Sequence, residues 1–281
     1  MLDLRIYQKQ QMEQGADAPY TVQFLLEGRQ DIDREQLLEA LKQRCGNVEA
    51  MDPASNLLAF AHMDHKVRFQ EGIMPAQCMF TQPEDLQNPK ESLGESISQT
   101  WDWRDVGDVL ARCKTAVSAT DILAGSLNRR VRLGLIHGMA LAFLDIVPVL
   151  AINWLPSQRL VDPKFYREGV EQGHLLFSSA INVRMFQPEG TEQRIMDTMG
   201  LRSFGLPDLQ CHFRNIEPMR VGMFLYECAE FIFEKGDVIK PNDTIQGFEP
   251  SQKFRCSREM AMVPPSRLVV DIQPGEFAAP R

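Results

Sequence analysis

The chain lacks paired cysteines, an excess of positive charge, long unbroken apolar runs and the short motifs that mark common cofactors. Its six cysteines (Cys45, Cys78, Cys113, Cys211, Cys228 and Cys256) lie far apart, with no C-x-x-C spacing. The opening residues, "MLDLRIYQKQQMEQG", are too polar for the apolar stretch of a secretory leader. Together these features predict free thiols in a reducing cytoplasm. Acidic residues outnumber basic ones by 38 to 30, for a net charge of −8. Such a surface repels phosphate backbones, so nucleic acid is not an expected partner; the charge suits solubility or the meeting of a basic protein.

The most apolar window, residues 133–155, is long enough to span a bilayer, but His137, Asp145, Pro148 and Asn153 interrupt it. A helix running to about Val147, followed by a strand "VLAINWL", divides it better, and no membrane contact is expected. No G-x-G-x-x-G, P-loop, H-E-x-x-H or EF-hand pattern occurs. No cofactor and no resident metal are therefore expected. "GLRSFG" (200–205) resembles a nucleophile elbow, but one residue too many precedes Ser203, and a strand rather than a helix follows. "HMDH" offers His62, Asp64 and His65 without the further ligands a metal site needs. His137 and His212 lie in apolar segments, where a hydrogen-bonded core histidine is the expected state. No nucleophile, base and orienting group assemble into a catalytic set.

What is present is an alternation of strands and helices. "YTVQFLLE" (20–27) suits a strand. Asp33 then caps a helix, with Gln36 three residues on and Gly46 as its stop. Short strands follow at "VEAMD" and "NLLAFAHM", joined by a turn at Asp52–Pro53. Residues 81–96 hold two prolines and a glycine and suit a connecting loop. Further strands are expected at 114–123, 175–186, 194–198 and 208–213, and "IQGFEP" through "RLVVDI" suits strand and loop. Residues 128–147 suit a helix in which Gly134 and Gly138 allow close backbone approach. A third helix starts at Pro218 and stops at Gly236, with Val221, Phe224, Cys228 and Phe231 as its apolar stripe. The strand–helix order near the start reappears from residue 209.

Several stretches taken together, "TWDWRD", "VSATDILA", "INWLPSQRLVDP", "INVRMF", "MDTMGLRSFGLPDLQCHF" and "FIFEKGDVI…TIQG", resemble the bacterial family known as domain of unknown function 4261. They run from about residue 100 to 248. The resemblance implies a soluble bacterial protein and brings no activity or functional residue with it.

The elements predict an α+β fold: a mostly antiparallel sheet with helices packed on one face, in two lobes (1–96 and 97–281) that pack as one unit or stand apart, the repeated order marking either a duplication or merely two common strand–helix–strand units. In "MDTMGLRSFGLPDLQCHF" the glycines are expected to serve a turn that leads into a strand. The leading functional expectation is a non-catalytic protein-binding protein, concretely an immunity or chaperone-like partner of a toxin or secreted effector. Trp101, Trp103, Arg104 and Trp154 are its candidate interaction residues, since Trp and Arg anchor interfaces; the alternative for the tryptophans is core burial. If residues 100–105 are extended, Trp101 and Trp103 point one way and Asp102 and Arg104 the other. The competing expectation is an enzyme or small-ligand binder with a pocket between the lobes, formed by Asp121, Asn153 and Asp197. Self-association through the tryptophan-bearing face is a third. Nothing in the sequence sets the oligomeric state.

Overall fold

Asp33 opens the first helix as a capping residue should. Its carboxylate accepts from the amides of Glu35 and Gln36, and Gly46 closes the helix at φ +85°. The computed structural model describes residues 18–52, 57–69, 72–174 and 179–280. The chain divides between Ala180 and Ile181.

The first unit runs β1 (Thr21–Leu26), α1 (Arg34–Cys45), β2 (Val48–Ala50), β3 (Leu58–Phe69), β4 (Gly72–Phe80) and β5 (Glu84–Asp85). It continues with α2 (Pro89–Ser92), α3 (Gly94–Ser98), α4 (Val106–Arg112), β6 (Thr115–Ile122), α5 (Arg129–Ile146), β7 (Ala151–Trp154), β8 (Arg159–Val161) and α6 (Pro163–Glu171). Its sheet is ordered β2-β3-β4-β6-β1-β7-β8, with β5 beside β6 and every pair antiparallel. The lobe boundary expected between residues 96 and 97 is thereby displaced. That point lies inside α3, and β6 beyond it pairs with both β1 and β4. Of the turn expected at Asp52–Pro53, residues 53–56 fall outside the described residues.

Period-two alternation gives this sheet two buried faces. Val22 and Phe24 look toward α5, where Phe24 stacks on Phe143 with ring centroids 4.4 Å apart. α1 lies against α5 at Gly138: a Cβ built there would sit 2.5 Å from Cys45 Sγ and 3.3 Å from the Arg44 carbonyl oxygen. Gly134 has no such neighbour. On the other face, Leu25, Ala116, Ala151 and Leu160 pack against Val106 and Leu110 of α4. The polar-looking stretch 81–96 is therefore not a plain loop. Its apolar Leu86 and Leu93, with Ile97 just beyond, anchor β5, α2 and α3 on this second face, so helices cover both sides of the sheet.

The second unit runs β9 (Asn182–Phe186), β10 (Arg194–Met199), β11 (Asp208–Phe213), α7 (Pro218–Lys235), β12 (Thr244–Gln246), β13 (Lys253–Met260) and β14 (Leu268–Gln273). The sheet order is β12-β13-β14-β11-β10-β9; β11 and β14 run parallel and the other pairs antiparallel. The strand expected over 175–186 begins at Asn182, and residues 175–178 lie outside the described residues. α7 covers the face bearing Met196 and Val183, which meet Gly222. Val221 and Phe224 are buried as expected, Cys228 is half-buried, and Phe231 points out. The buried face instead continues through Leu225, Ala229, Ile232 and Phe233. This is α+β architecture with mostly antiparallel pairing.

Candidate functional site

"TWDWRD" is not extended. Residues 101–105 bend into the start of α4, so Trp101 and Trp103 do not share a side. Trp103 is half-buried against the Leu25–Leu110 cluster, Trp101 is 42% exposed, Arg104 is exposed, and Asp102 accepts from Arg159 at 2.7 Å. Trp154 lies opposite Val22 in β1, hence on the α5 side of the sheet. It is fully buried there, edge-on to Tyr20 and against the rings of His137 and Tyr166. The candidate interaction residues therefore do not form one patch, and Trp154 belongs to the core. His137 is the hydrogen-bonded core histidine expected, with Nδ1 2.7 Å from Tyr166 Oη.

Of the three candidate pocket residues, two belong to the first unit's sheet and do not share a face. Asp121 shares the face of Ala119, which opposes Val22; Asn153 opposes Gln23, on the other side of the same sheet. Asp121 is bound by Arg132, whose Nε lies at 2.6 Å and Nη2 at 3.1 Å, and by the Tyr20 amide. Asn153 Nδ2 donates to Gln23 Oε1 at 3.3 Å. Asp197 lies in the second unit and is held by two arginines of that unit. Each group is tied to partners of its own.

Asp197 leads to a buried, linked polar assembly. Register places Arg184, Asp197, Gln210, Asp271 and Ser257 in a row across β9, β10, β11, β14 and β13. The row lies on the face away from α7, because Met196 and Val183 take the other. Arg184 grips Asp197 through two bonds of 2.9 and 2.6 Å, while Arg267 reaches Asp197 at 2.6 Å and Asp208 at 3.2 Å. All four are at most 2% exposed. Asp208 also accepts from the Leu201 amide and the Thr198 hydroxyl. Carbonyls of Pro264 and Pro265 take further guanidinium protons, and the Met262 amide donates to Gln210. Burial pushes the Asp208 carboxyl above its ordinary range; Arg267 opposes the rise and Asp197 adds to it.

The quoted turn makes this geometry possible. Gly200 at φ +126° and Gly205 at φ +69° flank a short 3-10 turn, Leu201–Phe204, and let β10 and β11 place Asp197 and Asp208 on one cluster. Ser203 sits inside that turn, and β11 follows it, so no elbow forms. No motif in the sequence marks Arg184, Asp208 or Arg267. The signal available was a charge embedded in an apolar strand run, Arg184 in "INVRMF" and Asp197 in "RIMDT".

"HMDH" lies within β3 rather than at a hairpin end. His62 is buried, Asp64 is exposed and accepts from Asn47, and His65 is half-buried. His62, Cys78, Asp121 and Met139 help line a cavity of about 10 Å³, room for one water. His62 Nδ1 has no hydrogen-bond partner, and burial, followed by the charge of His65, lowers its pKa to about 4. No three His, Cys, Asp or Glu side chains among the described residues group closely enough to hold a metal ion. Burial raises the thiols as well, Cys113 and Cys256 to about 11 and Cys45 and Cys228 to about 12, so none of these is a poised thiolate.

Large apolar side chains do reach the surface. On the β3–β4 hairpin they are Phe69, Ile73 and Met74; on α7 they are Met219, Met223 and Phe231. No helix among the described residues is long and apolar enough to cross a membrane.

Fold and site define an α+β protein of two largely antiparallel sheets, with Arg184, Asp197, Asp208 and Arg267 buried and ion-paired and apolar groups presented outward. Residues 197–273 match the model of the family described as Domain of unknown function (DUF4261), the family its motifs resemble. The matched segment contains Asp197, Asp208, Arg267 and the whole of α7. No curated protein and no solved structure matches the chain.

Proposed function

We propose that this is a protein of the bacterial cytoplasm that works by holding another protein, concretely as an immunity or chaperone-like partner of a toxin or secreted effector. The observation that carries this reading is the set of large apolar side chains held outward on regular elements, the β3–β4 hairpin and α7. Such groups in water favour association with a complementary surface. The acidic balance of −8 suits a basic partner and supports this choice. The carboxylates at the candidate pocket positions, Asp121 and Asp197, meanwhile sit in ion pairs.

The test is purification of the tagged full chain from its native host through two chromatographic steps, followed by native mass spectrometry. One protein co-purifying at fixed stoichiometry is the expected result. A chain that emerges alone, or only with copies of itself, from cells grown under several conditions removes the basis of the reading.

A further inference from the structure

We propose that the outer face of α7 docks a basic amphipathic helix of a partner protein; this rests on the protein-binding reading above and names its surface and the chemistry it meets. A helix lying on a sheet normally turns a charged or polar side to water. α7 does so only in part. Met219 and Met223, one turn apart, are 57% and 58% exposed, and Phe231 is 50% exposed. Glu227 and Glu230 stand exposed among them. At helical spacing these five side chains fall within an arc of about 120°. The stripe is therefore apolar and anionic together.

The cation nearest its start, Arg220, is already engaged. Its guanidinium bonds Glu249 and lies 4.9 Å from the centre of the Phe248 ring. Lys235 sits at the far end of the helix. Flexible methionine side chains fit many apolar shapes, and the glutamates between them select the sign of what lies alongside. A helix with a leucine or isoleucine seam flanked by lysine or arginine meets both demands. An acidic protein, a nucleic acid or an anionic lipid surface meets the apolar demand at best and is repelled by the charge.

The test uses the full chain and two labelled synthetic peptides of the 18-residue length of α7, one built from leucine and lysine, the other from leucine and glutamate. Binding is read by fluorescence anisotropy. The Leu/Lys peptide is expected to bind, about tenfold more weakly to Met223→Ser and to the Glu227→Lys, Glu230→Lys double variant. Met79→Ser, an exposed methionine of β4, is expected to leave binding unchanged. The substituted side chains are exposed, so the variants should melt like the parent; if Met223→Ser does not, Met219→Ser probes the same face.

No binding of the Leu/Lys peptide, equal binding of the Leu/Glu peptide, or an effect of Met223→Ser below about twofold overturns the proposal. Self-association of the parent chain that Met223→Ser abolishes would assign the face to a second copy and overturn it too. A native partner that Met223→Ser retains refutes the α7 face while leaving the protein-binding reading intact.

Discussion

The two units share a chain order and differ in what fills the second face of the sheet. β1–α1–β2–β3–β4 and β11–α7–β12–β13–β14 are each a strand, a helix and three antiparallel strands. In the second unit the last of these, β14, pairs directly and in parallel with β11; in the first, β6 stands between β4 and β1. On the other flank each leading strand is followed by two strands in antiparallel succession, β7 then β8 or β10 then β9. In the first unit, helices pack apolar residues against both faces, and the buried ion pair Asp121–Arg132 lies toward one end. In the second, the face away from α7 carries Arg184, Asp197, Gln210, Asp271, Asp208 and Arg267. An apolar face tolerates a lost contact in proportion to area, whereas a buried charge set fails sharply when one member goes.

That contrast orders the expected effects. Arg267→Met should cost the most, about 3–5 kcal/mol in urea unfolding, because Asp197 and Asp208 lose a shared cation in a buried site; a loss under about 1 kcal/mol would erase the contrast. Gly138→Ala probes the first unit, where the helices touch at backbone distance. About 1–3 kcal/mol should be lost as Cys45 and the α1 carbonyl are pushed back, and an unchanged midpoint would mean that α1 yields freely.

A third effect is a pH dependence. His62 has a folded pKa of about 4, while the unfolded value is about 6.5. The unfolded chain thus takes up a proton that the folded chain refuses, so stability is full above the unfolded value. It then declines as pH falls from about 6.5 to about 4, by at most about 1.4 kcal/mol per pH unit. His62→Gln should flatten that part of the profile relative to the parent; parallel profiles would place the imidazole in water.

Much of the scaffold was legible in the sequence because its signals are local. The Asp33 cap, the Gly46 and Gly236 stops, and the glycines flanking Leu201–Phe204 all act within a few residues. What was not legible depends on register and tertiary partners. Asp121 and Asn153 look alike in sequence, yet the pairing of β1 sends them to opposite faces. Trp103 and Trp101 part company because a bend replaces a strand. The short helices after Phe80 form because Leu86, Leu93 and Ile97 find an apolar face supplied by distant strands. Arg184 and Arg267 find their aspartates across a sheet, and no spacing rule announces that. Phe231 fits the apolar stripe by period but is turned out because the buried face of α7 is centred elsewhere.

We propose that the polar residues resembling a site are scaffold, a role that leaves binding to the outward apolar face. The most direct test of that role is the unfolding free energy of Asp197→Ala at neutral pH. The account predicts a fall of about 3–5 kcal/mol, since Arg184 and Arg267 are left buried beside an empty position. Unchanged or increased stability would contradict it, because that is how a chain responds when a strained functional group is removed.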